Sequence, residues 1–376
     1  MKFPLPAADA GSLGLDAQAL DRLMETVTRH ITDGRYPGAQ LAVARHGKLA
    51  LVRTLGDARL DPTRVVANDD TLWLMYSNTK VLTACAVWLL VERGALAFTD
   101  RVAEHLPGYE ANGKGDITVV QLLTHQAGYP NADVPKEAWD DHDLLRKVVC
   151  EFTPEWTPGS RVHYHGRAAH WTAAAMIEAL TKTDYRTFIR EQVIQPLGLG
   201  DELYVGLPDT QHGRAADMHE PGAEGGRQVK RADENNAAFR RAGTPGGGGY
   251  GTARAMAAFY QMLAQGGSLN GKRLLSSRMV SYVTRDFTGE RVDDYMGMPM
   301  HRGLGPHSRG AGVFIRGLGS LASPRTFGHG GVGSSYCWAD PESGVSFAYL
   351  TNSRVPDPWH SARLDVVSNA VHVAID

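Results

Sequence analysis

Ser77 and Lys80 open "SNTKVLTACAVWLLVERGAL", a nearly continuous apolar run. Three residues apart on a helix, their side chains share one face. The positive end of the helix dipole and burial both disfavour an ammonium ion there. A neutral lysine could take the proton of the serine hydroxyl and leave a nucleophile. The plain alternative is a capping serine followed by a lysine that reaches back to solvent. S-x-x-K is a weak pattern alone, so other segments must decide.

Three more segments carry groups suited to chemistry. "RVHYHGRAAHW" (Arg161–Trp171) places His163 and His165 in H-x-H spacing, with His170 following. No Asp, Glu or Cys accompanies them at hydrolase spacings and HExxH is absent, so no metal and no cofactor are expected. The alternative to a metallohydrolase reading is that Tyr164 is the polar actor, with the histidines structural or lining a pocket; a phenol beside a lysine could pass protons. "GHGGVGSS" (Gly328–Ser335) combines backbone open to close approach with N–H groups that could hold an oxyanion. Its structural alternative is a tight bend or bulge. Gly246–Gly249 reads as a flexible turn and not a P-loop, since no GK[ST] follows. G-x-S-x-G occurs nowhere, which argues against an α/β-hydrolase.

The elements that must position these residues are legible in part. Asp16–Ile31 reads as an amphipathic helix, with Leu20, Leu23, Met24, Val27 and Ile31 on one face. Ala39–Gly56 alternates about His46-Gly47, a hairpin signature. Ser77 to about Gly94 is a buried helix, and mostly helical patterns continue to about Gly266. Thr252 is a plausible cap for the helix after the glycine run. Asp217–Ala242 reads as polar loop, and Phe287–Thr326, rich in Gly, Pro and Arg, resists assignment. "TFGHGG", "SSYCWAD" and "VSFAYLTN" read as strands, and Trp359–Ile375 as a closing helix. The expected fold is α+β: one antiparallel sheet built from both termini and flanked by the terminal helices, with an inserted, mainly helical lobe. The expected single domain splits into an α/β lobe of residues 1–72 plus 286–376 and a helical lobe of 73–285. A ligand cleft between lobes follows.

The 376 residues are 43% hydrophobic and 21% charged, with a net charge of -2. Nothing in that balance invites nucleic acid or an anionic membrane surface. Cys85, Cys150 and Cys337 show no paired spacing and point to reduced thiols. The first twenty residues lack an apolar run of signal-peptide length, and no run reaches a membrane span, so a soluble, cytoplasmic protein is expected.

Taken in order, these segments resemble the serine β-lactamase and penicillin-binding-protein superfamily. The likeness is strongest to class C β-lactamases and family VIII carboxylesterases, and it covers most of the chain. "DTLWLMYSNTK" is similar to the first motif, and "LLTHQAGYP" to the segment "LLTHTSGLP". "PEWTPGSRVHYHG" resembles the approach to the second motif, Y-x-N. "PGGGGYGTARAMAAFYQMLAQGGSLNGKRLLSS" resembles a further family segment. "FGHGGVGSSYCWADPESGVSFAYLTN" resembles the last strands, with HGG where β-lactamases have KTG.

The resemblance implies Ser77 as nucleophile, Lys80 as general base or its partner, and Tyr164 as proton carrier. It implies an oxyanion hole from the backbone N–H groups of Ser77 and Val332. His329, at the KTG lysine position, Gly331 and Tyr129 are the expected substrate contacts. Trp139, Trp156 and the Phe287–Thr326 stretch are expected to line the pocket with Tyr129. Two departures weaken a β-lactamase reading: Gly166 replaces the Y-x-N asparagine, and His329 is mostly uncharged at neutral pH. The implied function is hydrolysis of a small-molecule carboxylic ester, or an amide or thioester, through an acyl-enzyme on Ser77. The alternatives are an acyltransferase or an amidase/D-aminopeptidase using the same intermediate, with weak β-lactamase side activity. A non-catalytic binding protein on this scaffold is the reading from another class. Neither nucleic acid nor membrane is an expected partner, and oligomeric state is not legible.

Overall fold

The computed structural model describes residues 3–223, 227–312 and 317–376. Strands β1 (Gly38–Arg45), β2 (Lys48–Arg59) and β3 (Val65–Val66) come from the N-terminal part of the chain. Three short strands follow: β4 (Trp73–Leu74), β5 (Leu203–Val205) and β6 (Gly249–Gly251). β7 (His307–Ser308), β8 (Phe327–Gly331), β9 (Ser335–Asp340) and β10 (Val345–Thr351) come from the C-terminal part. The main sheet runs β7-β8-β9-β10-β1-β2-β3, antiparallel throughout. Both termini therefore meet at the β1–β10 pairing, where Leu41 faces Tyr349 and Val43 faces Phe347.

Strand alternation decides what covers each face. Leu41, Val43, Tyr336, Trp338, Phe347 and Tyr349 share one core with helices α1 (Ala17–Thr32) and α5 (Trp359–Val373). The opposite face presents small residues, Ala42, Ala44, Cys337, Ala339 and Ala348. Helix α4 (Ala253–Ala264) lies on that face; Thr252 caps it by accepting from Ala255 N–H at 3.1 Å. α4 falls in the stretch read from sequence as helical lobe, yet it packs on the sheet. Its alanines and those of β1 and β10 let the two backbones approach closely. Gln40 Oε1 accepts from Ala253 N–H at 2.6 Å and Ser346 Oγ donates to Ala257 O at 2.8 Å, which ties helix to sheet.

Helix α2 (Thr79–Glu92) is buried on every side from Thr79 to Leu90, as its unbroken apolar sequence requires. It packs against α3 (Ala168–Thr181). The glycine-rich stretch before α4 is a fixed, buried wall for α2, where the sequence suggested a flexible turn. Thr83 Oγ1 donates to Pro245 O and Gly249 N–H donates to Thr79 Oγ1. A Cβ on Gly249 would stand 2.6 Å from Thr79 Oγ1, so no larger residue fits. Asp217–Ala242 also departs from the expected loop. It holds short strands at His219–Pro221 and Gln228–Lys230 and two short helices, Ala232–Asn235 and Ala237–Ala242. Long-range partners settle that segment: Arg240 and Lys230 both bind Asp217. Among the described residues no helix is long and apolar enough to cross a membrane.

Candidate active site

Ser77 sits in a 3-10 turn, Tyr76–Asn78, at the entrance to α2. It caps nothing; its hydroxyl is held by two other side chains. Lys80 Nζ lies 3.2 Å from Ser77 Oγ, and Tyr164 Oη donates to the same oxygen at 2.8 Å. Tyr76, just before the serine, has φ +44°, a strained value for a residue with a side chain. Its hydroxyl donates to Glu234 at 2.9 Å inside the core, which helps to hold that conformation.

Lys80 is fully buried. Its Nζ donates to the carbonyl oxygens of Gly166 and Gly246, each at 2.7 Å. Two hydrogens of a neutral amine are thereby occupied, and the lone pair is left for the serine hydroxyl. Burial, reinforced by Arg302 and Arg167, pushes Lys80 down to about 7. Burial also pushes Tyr164 up to about 12, against the opposing pull of the Ser77 hydrogen bond and Arg302.

Strand β8 forms the other wall. A Cβ on Gly331 would stand 2.5 Å from Met75 O and would also strike Ser335 Oγ. Glycine alone allows the strand to lie against the Tyr76–Asn78 turn. Asn78 Nδ2 donates to Ser335 Oγ at 2.9 Å and fastens the two together. Among the described residues neither the Ser77 nor the Val332 backbone N–H has an acceptor in the protein. His329 donates from Nδ1 to Gly330 O at 2.8 Å, and burial, then Lys80, hold it well below the usual histidine range. It is a neutral imidazole at pH 7, its ring centroid 4.3 Å from that of His307 and tilted to it by 37°.

Ser77, Tyr164, His329, Gly331 and Val332 line one cleft of about 130 Å³. At Val332 and Asp357 it meets an outer hollow of about 760 Å³, bordered by Arg35, Arg354 and Trp359. Tyr129 does not reach the cleft, contrary to expectation. Its ring is fully buried, with its hydroxyl between Tyr109 and Thr172, because three core polar groups satisfy one another there. Trp139 and Trp156 do not line the cleft either; Trp139 packs on Phe239 and Trp156 on His163. The Phe287–Thr326 stretch does contribute, through Tyr295, Met296, Arg302 and His307; its residues 313–316 lie outside the described residues.

Two of the histidines around Tyr164, His165 and His125, are tied into the surrounding main chain. His165 Nδ1 donates to His163 O and Nε2 accepts from Tyr129 N–H, so neither nitrogen of that ring is open to a metal ion. His125 Nδ1 accepts from His165 N–H, and its ring lies 4.7 Å from that of Tyr164. Sequence reasoning missed the backbone carbonyls of Gly166 and Gly246, which leave no signal in side-chain chemistry. It also missed Asp293, Arg302 and His307, which sit in a stretch without periodicity.

Sheet topology, sandwiching helices and the Ser77–Lys80–Tyr164 cluster define the class as a β-lactamase-like α+β hydrolase fold. The chain belongs to the beta-lactamase family, whose model matches residues 17–371. The esterase/beta-lactamase LipL of Mycobacterium tuberculosis is 29% identical over 75% of this chain and 70% of its own. A family VIII carboxylesterase crystal structure superposes with a TM-score of 0.81 at 28% identity, over 95% of this chain and 98% of that one. A penicillin-binding protein homologue from Caulobacter crescentus gives 0.79 at 29% identity, over 95% and 99%.

Proposed function

We propose that this protein is a serine esterase that cleaves small carboxylic esters through an acyl-enzyme on Ser77. One observation carries the reading: Lys80 and Tyr164 converge on the Ser77 hydroxyl, and Lys80 spends its own hydrogens on two backbone carbonyls. Ser77 Oγ attacks the ester carbonyl as its proton passes to Lys80. Tyr164 protonates the departing alkoxide and is recharged from Lys80. Water then attacks the acyl-enzyme, gives a proton back through the same pair, and releases the acid. The N–H groups of Ser77 and Val332 receive the oxyanion, each donor contributing about 3 kcal/mol in enzymes of this kind.

Support for an ester over a β-lactam comes from His329. A neutral imidazole offers no fixed cation to a β-lactam carboxylate. The esterase and carboxylesterase names of two similar proteins agree. The test is intact-protein mass spectrometry after brief mixing with p-nitrophenyl butyrate, beside Ser77→Ala, with nitrophenol release followed in parallel. An acyl adduct and turnover on the wild type alone are expected. Full esterase activity in Ser77→Ala would end the assignment.

A further inference from the structure

We propose that Arg302 is a positioning residue for the Ser77–Lys80–Tyr164 group. Its guanidinium, clamped by Asp293 and His307, is the fixed positive charge that keeps Lys80 a free amine and steadies Tyr164 as it gives up its proton. The proposal rests on the reading of Lys80 as the base of Ser77.

Arg302 is 2% exposed, and its Cζ lies 4.9 Å from the Tyr164 ring centroid. Lys80 Nζ lies 5.0 Å from the same centroid, so the amine and the guanidinium flank one phenol. Both Nε and Nη2 of Arg302 donate to Asp293 Oδ2, at 3.2 and 2.5 Å, and Nη1 donates to His307 Nε2 at 2.6 Å. Asp293 is fully buried, and its Oδ1 accepts the backbone N–H of Tyr164 at 3.1 Å. One carboxylate therefore fixes both the main chain of Tyr164 and the cation over its ring. His307, accepting at Nε2, turns Nδ1 to Tyr336 Oη at 3.2 Å. Such a buried pair is a poor device for stability, since desolvation cancels most of its attraction. Its placement asks for another use.

The other groups facing Lys80 and Tyr164 do not supply this charge. His125, His170 and His329 are held well below their usual range, and His165 is pushed down to about 4, burial being the first cause in each. Arg167 is over half exposed and is drawn outward by Asp133. Tyr295, 5.7 Å from Tyr164 ring to ring, is a phenol. Arg302 is the buried cation that water cannot screen, and Asp293 offsets part of its charge. After burial, it is the next cause that lowers Lys80. A nearby cation penalises a second ammonium and favours a developing phenolate.

The experiment is the pH profile of kcat/KM for p-nitrophenyl butyrate in wild type, Arg302→Gln, Arg302→Lys and Asp293→Asn, with each fold checked by circular dichroism. Arg302→Gln should move the acidic limb up by about one pH unit and cost about fivefold in rate at pH 7, with activity returning at higher pH. Arg302→Lys should keep the limb near its wild-type place. Asp293→Asn, which leaves the guanidinium unneutralised, should move the limb down. A purely structural role predicts loss at every pH with the limb in place, and that result in Arg302→Gln overturns the proposal. Should that variant not fold, an upward shift in Asp293→Asn overturns it equally. A wild type that neither turns over nor acylates at any pH removes the esterase reading itself, and this proposal with it. Normal wild-type turnover with unmoved limbs removes this proposal alone.

Discussion

Lys80 Nζ lies 2.7 Å from the carbonyl oxygen of Gly166, at the position where the second family motif carries asparagine. The main chain thus accepts the hydrogen bond that a side-chain amide could have taken. A Cβ at Gly166 would meet nothing within 4 Å. Gly166→Asn should therefore fold, with stability changed by less than about 1 kcal/mol, the range of an unstrained surface substitution. Ester kcat/KM should stay within a few-fold, while hydrolysis of an anilide substrate should rise. Thermal melts and paired ester and anilide assays check this. A collapse of ester turnover would show that the Gly166 carbonyl tolerates no competitor near Lys80.

Burial, then Arg302 and Arg167, push Lys80 down to about 7 in the fold. kcat/KM should climb with pH through that value, because only the free amine accepts the serine proton. Stability carries the same signature. Between about 7 and about 10.4 the unfolded chain holds a proton on this lysine that the folded protein lacks. Wild type should therefore gain stability relative to Lys80→Met as pH rises through that window, by about 1.4 kcal/mol per unit. Below about 7 both states are protonated and the difference should level off. Denaturant melts of the two proteins from pH 6 to 9 measure the slope, and parallel curves would contradict a depressed lysine.

Gly331→Ala should be severe. The new methyl would meet Met75 O at 2.5 Å, so β8 and the turn that carries Ser77 must part. Overpacking of this kind costs about 1–3 kcal/mol. The larger loss should fall on kcat, about a hundredfold, because the displaced strand leads directly into Val332. Steady-state kinetics separates this from a KM effect, and a change confined to KM would speak against an oxyanion role for this strand.

Tyr129→Phe tests the correction to the expected substrate contact. The hydroxyl shares a buried network with Tyr109 and Thr172. Its removal should cost about 1–3 kcal/mol of stability and leave KM for short esters within about twofold. Urea melts and Michaelis curves decide; a KM raised tenfold would return Tyr129 to the substrate site.

How much of this was legible beforehand varies with the range of the forces involved. The all-apolar face pattern of Thr79–Leu90 announced a buried helix, and the alternation in Ala39–Gly56 announced a hairpin, because each depends on local periodicity. Ser77, Lys80 and Tyr164 could be named from their motifs, and the structure brings the three together. Asp293, Arg302 and His307 could not be. They come from a stretch whose conformation is set by partners far along the chain, as when Asp293 takes the N–H of Tyr164.

By itself, then, the sequence pointed to the α+β architecture through hydrophobic period, a property of neighbouring residues, and to Ser77, Lys80 and Tyr164 as the candidate catalytic group through the resemblance of several ordered segments to one family. The protonation pattern of the site was decided by tertiary structure. Lys80 is held below the usual lysine range by a dry surrounding and by the guanidinium of the distant Arg302, while carbonyls 86 and 166 positions away fix where its amine sits. Electric fields and desolvation act through space, and only the folded chain sets those distances.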